Sequence, residues 1–447
     1  RIEYEKSLTP EEYNKLEERD KINWWELSRN PNAIELLKQN QDKIDWNYLC
    51  YNQNPNAIEL FKDKFVNWIW LSDNPNAIKL LRERIKYEKS LTNEEFDQLE
   101  NKLHWDMLSI NINAIDLLKE NPDKINWKYL SINPNAIELL KENQDKINWY
   151  NLSSNPNAFE LLKENKDKIN YRRLVFNENA IELIKDKIKE EQKLTEEEYT
   201  NLNYTNKICF DNLSTNINAI ELLKEHKNKI HWTLLSKNKN AIDLLIPKRL
   251  EEIANNYDLI EYNPKLHLSK HLLSTNINAI NILKQDPDII NWEYISQNIN
   301  AIDMIENRLK YESNIDIDEY INLLDNKICW KQLSSNINAI KLLKTKIKMK
   351  ERLVLKIKIT ENNTIGEICK NINYYKQIWK DKNPKIITDY GNIRLFISID
   401  DTLDWTTLSI NINAIDILKE NQDKIDWCSL SLNPSIFTEI SMPNIYC

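Results

Sequence analysis

A 22-residue period runs through this chain, and nothing else in it constrains the fold so tightly. The clearest copy runs from Asp123 to Asn143 and carries Trp127, Leu130, Ser131, Asn133, Pro134, Asn135 and Ala136. Aligned on this unit, the chain has about fourteen copies. Their anchors are Trp24, Trp46, Trp68, Trp105, Trp127, Trp149, Tyr171, Phe210, Trp232, Lys270, Trp292, Trp330, Trp405 and Trp427. Spacings between anchors are 22, or 37 to 39 where an insert of about one helix pair intervenes, with one gap of 75. The interruptions therefore respect a lattice.

Within a unit the anchor and the Leu three residues on share a helical face, as Trp127 and Leu130 do, so this half reads as a short helix. The residue before the anchor is commonly Asn or Asp (Asn23, Asp45, Asn126, Asp426), which suits an N-cap, and units with His104, Cys209, His231 or Cys329 there are expected to be capped less well. Asn-x-Asn-Ala follows. Pro at x matches the first turn of a second helix, and the first Asn is expected to cap it. That helix should run about nine residues and bury the Ala, the Ile and a Leu-Leu pair. In repeat 2 the spacing slips, with two extra residues before Asn54 and two fewer after Ala57. One helix pair cannot bury its own apolar face, so the units must stack, each giving a Trp, Leu, Ala and Ile to a continuous core. On this reading Trp127→Ala costs roughly 3–5 kcal/mol.

The fold class is therefore all-α: an α-solenoid of short helix-turn-helix repeats over 1–349, a small α/β insert over 350–400, and terminal repeats with a C-terminal cap over 401–447, where Ser441-Met442-Pro443 follows a degenerate last unit. A leucine-rich repeat has a similar period and a recurrent Asn, but its strand needs alternation, which Asn47, Asp106, Lys128, Arg172 and Glu293 after the anchors do not provide. The inserts repeat too. Thr9, Thr92 and Thr195 each precede acidic residues through the third helical position, so each insert should lengthen one helix and start another with a capping box. Arg1 aligns with Arg84 in mid-insert, so at least one further repeat is expected upstream. The 350–400 segment contains both glycines of the chain. The alternating run Leu353 to Ile359 reads as a strand, 365–381 as a helix, and two β segments flank a hairpin turn at Asp389-Tyr390-Gly391-Asn392: a βαββ module.

Chemistry is hard to find. The five histidines show no metal spacing, two glycines cannot build a phosphate loop, and no nucleophile elbow is present. A residue present in every unit cannot mark one active site, so the recurrent Ser and Asn are read as caps or inter-repeat hydrogen-bonding groups. We expect no enzyme, no cofactor and no metal. The net charge of -8 opposes nucleic acid binding unless Lys and Arg segregate, and no apolar run is long enough for a membrane helix. Six cysteines without a Cys-x-x-Cys pair fit a reduced, intracellular chain.

What the fold leaves free are the two residues after each anchor. The first set includes Trp25, Ile69, Tyr150 and Arg172; the second includes Tyr48, Trp70, Tyr129, Arg173 and Tyr294. Aromatics and Arg dominate protein interfaces, so these nine residues form the candidate partner surface, against the alternative that their rings merely widen the core.

The phrase from Leu130 to Asn143 resembles the tandem repeats of functionally uncharacterised giant-virus (mimivirus-like) proteins, and the likeness covers nearly the whole chain outside 350–400. Tyr171, Phe210 and Lys270 depart from its Trp. The resemblance implies a viral source and location in the host cytoplasm of an infected cell, or in the virion. The expected function is a scaffold that binds a protein, viral or host, along one face. The rivals are a virion structural component, with self-assembly, and a reader of single-stranded nucleic acid, for which Arg172 and Arg173 begin no series.

Overall fold

The computed structural model describes residues 1–61, 66–255, 265–315, 319, 323, 327–348, 351–358, 385–389, 392–398 and 403–437. It is an all-α series of short helix pairs that keeps the lattice read from sequence. The chain divides into two compact units: unit 1 comprises Arg1–Leu8, Ile22–Ser269 and Pro434–Cys447, and unit 2 comprises Thr9–Lys21 and Lys270–Asn433.

One repeat contains three helical pieces. In repeat 6 these are Trp149–Leu152, Phe159–Glu164 and a 3-10 turn, Lys166–Lys168. The anchor helix starts where expected: Asn148 Oδ1 accepts the Asn151 N–H at 3.0 Å, and Asn23, Asp45, Asn126, Asp404 and Asp426 cap in the same way. Two of the four weak caps are better than expected. Neutral imidazole offers a ring acceptor, and His104 Nδ1 takes the Met107 N–H at 3.3 Å while His231 Nδ1 takes that of Leu234 at 3.4 Å. Cys209 and Cys329 make no side-chain cap.

The second helix differs from its expected form in two ways. It begins after Ala and has no side-chain cap, as at Ala158, because the first Asn of Asn-x-Asn-Ala instead folds an Asx turn: Asn155 Oδ1 accepts from the Asn157 N–H at 3.0 Å. It is also five or six residues in the plain repeats rather than nine. The residue that follows, Asn165, leaves helical geometry at φ -130 ψ 51 and hands the chain to the 3-10 turn.

The core is aliphatic. The Leu three residues after the anchor, the Ala, and the second Leu of the pair are buried in unit after unit, as Leu130, Ala136 and Leu140, all at 0% exposure. The residue two before the anchor joins them, as Ile125 and Ile147 do. The anchor Trp is a correction: only Trp232 and Trp292 are buried, with Tyr171, whereas the other aromatic anchors stand half-exposed and Lys270 is exposed. Several of these rings lie under a cation. The Lys of the following 3-10 turn covers the ring, Lys146 over Trp127 and Lys168 over Trp149 at 4.8 Å, Lys229 over Phe210 at 4.9 Å.

Inserts replace this arrangement with a longer one. The second helix continues, as Ile78–Ser90, Ile181–Glu191, Ile242–Ala254 and Ile302–Asn314, and supplies the cation from the end of its own second turn: Arg84 over Trp68, Lys187 over Tyr171, Lys248 over Trp232 and Arg308 over Trp292. One turn on, a buried Glu accepts the backbone N–H that opens the next repeat: Glu88 from Leu103 at 2.9 Å, Glu191 from Ile208 at 2.8 Å, Glu252 from Leu268 at 2.9 Å, Glu312 from Ile328 at 3.0 Å. Thr9, Thr92 and Thr195 form the expected capping boxes.

The 350–400 segment holds β1 (Glu351–Lys358), β2 (Lys385–Asp389) and β3 (Asn392–Ser398), an antiparallel sheet of order β1-β3-β2 with a register step between Leu353 and Leu355. The strand and hairpin read from sequence are present. The helix expected at 365–381 and the cap at Ser441-Met442-Pro443 lie outside the described residues.

Candidate functional site

Before any surface can be assigned to a ligand, the recurrent polar letters must be accounted for. All of them join neighbouring repeats. The first Asn is buried, and its Nδ2 donates to two backbone carbonyls of the preceding repeat: Asn133 to Ser109 and Asn111, Asn155 to Ser131 and Asn133, each at 3.0–3.1 Å. The second Asn donates to the carbonyl of the preceding x residue, as Asn157 does to Pro134 at 3.0 Å. Ser is a relay. Ser131 Oγ donates to the Trp127 carbonyl at 2.7 Å and accepts the N–H of the next cap, Asn148, at 3.0 Å. The ladder runs through unit 1, and in unit 2 it crosses the 75-residue gap directly, since Asn411 donates to Ser334 and Asn336 and Ser334 accepts from Asp404. Also within unit 1, Asn32 donates to Pro434 at 3.1 Å, the bond its counterparts make to the preceding repeat.

This ladder resolves the slip in repeat 2. Asn52, not Asn54, donates to the Ser28 and Asn30 carbonyls, and Asn54 takes the second-Asn place by donating to Pro31 at 2.7 Å. The two extra residues therefore follow Asn54. Ala57 is displaced, and a 3-10 helix, Pro55–Phe61, stands where other repeats have an α-helix.

The histidines are likewise occupied. His104 and His231 cap helices, His226 meets Phe210 edge-on at 5.5 Å and has its pKa lowered by burial, His267 Nδ1 lies 3.7 Å from Glu252, and His271 packs on Tyr294. Among the described residues no group of His, Cys, Asp and Glu could hold a metal ion. Cys50, Cys209 and Cys329 are free thiols; burial pushes that of Cys50 up to about 12. Among the described residues no helix is long and apolar enough to cross a membrane.

The nine candidate residues all lie on anchor helices, with their side chains wholly or partly in solvent. Trp25, Ile69, Tyr150 and Tyr294 are exposed, and Tyr48, Trp70, Tyr129, Arg172 and Arg173 are half-buried. None of them is in the core, so widening it is not their main role. Two groups form in unit 1. In repeats 1–3 the rings touch in series, Trp25 to Tyr48 at 4.8 Å and Tyr48 to Trp70 at 6.2 Å. In repeats 6 and 7, Arg173 lies over Tyr150 at 5.1 Å and donates to Ser154 Oγ, while Arg172 covers Tyr204 of the next insert at 3.7 Å. Tyr129 pairs with Lys128, and Tyr294, in unit 2, with His271 at 5.3 Å.

Sequence reading missed a third line. The residue five after the anchor is also presented outward: Tyr51, Ile132, Phe176, Ile410 and Leu432 are exposed there. Tyr51 lies 5.3 Å from Trp70, and Phe176 lies under Arg173 at 5.7 Å. The signal was available, because this position is three and four residues from the other two, the spacing that keeps side chains on one face when the turn of the anchor helix carries on past its end.

With that geometry in place, comparison with known proteins adds nothing further. No protein-family model, curated protein or solved structure matches the chain.

Proposed function

We propose that this protein is a non-enzymatic scaffold that binds a protein partner along the outer face of its anchor helices. The observation that carries the reading is the division of labour within a repeat. Recurrent spacing is spent on caps, ladder bonds and an aliphatic core, while the positions one, two and five residues after the anchor bond to a neighbouring repeat in only some units, as Asp106 does with Asn126 and Asn151 with Lys128, and in others carry Trp25, Tyr48, Tyr51, Trp70, Tyr150 and Phe176. Large rings left in water on adjacent repeats are costly to keep unless something covers them, and aromatic and Arg side chains contribute most to protein interfaces. That the partner is viral or host rests on the resemblance of the repeat to giant-virus proteins.

The test is affinity capture with the full chain as bait from cells that make it, comparing wild type with Trp70→Ala and Tyr129→Ala after circular dichroism has verified folding. A specific partner lost from either variant supports the reading. Retention of every partner by both variants refutes the proposed face.

A further inference from the structure

Among the described residues, many aromatic rings are already covered by one of the chain's own cations. Lys146, Lys168 and Lys229 cover anchors in plain repeats, Arg84, Lys187, Lys248 and Arg308 do so in insert repeats, and Arg172 and Arg173 cover Tyr204 and Tyr150. The outer row of repeats 1–3 departs from this rule. Trp25, Tyr48, Trp70 and Tyr51 touch one another in sequence at 4.8, 6.2 and 5.3 Å, and among the described residues no Lys or Arg stands over any of them.

The charge beside the row is acidic. Glu26 occupies in repeat 1 the position of Tyr48 and Trp70 in repeats 2 and 3; it is 8% exposed, and its Oε2 is buried without a hydrogen-bond partner. Burial raises its pKa, with Arg29 acting in the opposite direction. A carboxylate desolvated in this way gains when a cation arrives. Asp73 lies close enough to Tyr51 to help burial raise the phenol's pKa, and exposed Arg29 opposes that shift too without covering a ring. Two carboxylates against one exposed guanidinium leave the row net negative.

We propose that the aromatic row of repeats 1–3 is the docking site for an arginine- or lysine-bearing segment of the partner protein, whose cations stack on Trp25, Tyr48, Tyr51 and Trp70 and pair with Glu26 and Asp73. This rests on the scaffold reading and narrows it to repeats 1–3 of unit 1 and one partner chemistry. The site reproduces, in trans, the cation-on-ring contact that the chain makes for itself elsewhere.

The probe is a fluorescein-labelled eight-residue peptide of alternating Arg and Gly, titrated with the full chain against a matched Glu/Gly peptide. The Arg peptide should bind at least tenfold more tightly; Trp25→Ala and Trp70→Ala should each weaken it about tenfold and Glu26→Gln about fivefold. Tyr204→Ala, whose ring already carries Arg172, and Glu138→Gln, a surface carboxylate elsewhere, should leave binding unchanged. Equal affinity for the two peptides, no effect of the Trp variants, or an equal loss with Glu138→Gln overturns the proposal. Failure here while affinity capture still depends on Tyr129 leaves the scaffold reading intact and moves its contact surface to later repeats; failure of both removes it.

Discussion

Leu130 and Trp127 look alike in an alignment and differ in the fold. Leu130 has no exposed surface, while Trp127 is half-exposed beneath Lys146. Deleting a buried Leu leaves a cavity as well as losing transfer energy, so Leu130→Ala should cost about 2–5 kcal/mol and Trp127→Ala about 1–2 kcal/mol, the reverse of the order that ring size suggests. Urea denaturation of the two variants checks this. Asn133 is more demanding than either. Its Nδ2 satisfies two buried carbonyls and its Oδ1 an N–H of its own turn, so Asn133→Ala should cost about 3 kcal/mol by stranding them, and Asn133→Asp more, since a carboxylate would face two carbonyls. Equal stability of Asn133→Ala and wild type would mean the ladder contributes nothing. At the caps, Cys329→Asn should gain about 1 kcal/mol, and His104→Asn less, because His104 already caps. The Asn, the Ser and the cap were legible as recurrent letters. Their bonding partners were not, because the acceptors are backbone carbonyls one repeat away and backbone leaves no mark in sequence.

Inserts show what an element adds. In extending the second helix they displace the Lys-bearing 3-10 turn that directly follows it in plain repeats; the end of the second turn restores the cation and the buried Glu restores an acceptor for the next repeat. Three insert helices pair that Glu with an Arg: Arg84 with Glu88 at 2.9 Å, Arg249 with Glu252 at 3.4 Å and Arg308 with Glu312 at 3.1 Å. Glu191 has no such bond: Lys187 reaches Glu190 instead, and burial raises the pKa of Glu191. A carboxyl that holds its proton more tightly folded than unfolded contributes stability that is full below its unfolded pKa and is lost as pH rises through its folded one. Glu191→Gln should therefore be more stable than wild type at neutral pH, with the difference vanishing in acid, in thermal melts across pH. Lys187→Arg should recover part of the same gain by reaching Glu191 as Arg84 reaches Glu88. The extended helices and their Thr capping boxes were readable from Leu-Thr followed by acidic residues. The role of the Glu was not, because on sequence it is one acidic residue among many.

For the whole chain the governing fact is that interruptions are bridged. Ser334 accepts from Asp404 and Asn411 donates to Ser334 and Asn336 across the longest gap, so the repeats on either side of the β segment bond as ordinary neighbours do. Replacing residues 349–400 with a short Gly/Ser linker should then leave helical content per remaining residue unchanged by circular dichroism and shift the thermal midpoint by only a few degrees, since repeat proteins gain stability chiefly from nearest-neighbour interfaces. A large loss of cooperativity would show that the sheet is part of the stack. By itself the sequence determined the period, the helix pairs, the anchor-helix caps, the inserts and the strands of the 350–400 segment, because each follows from local spacing and local hydrogen bonding. Only the tertiary structure decided which letters are core and which are cement. Half-exposed Trp under Lys, Asn52 rather than Asn54 on the ladder, and the third outward line through Tyr51 and Phe176 all depend on how one repeat meets the next, and residues that touch across that joint lie 17 or more positions apart.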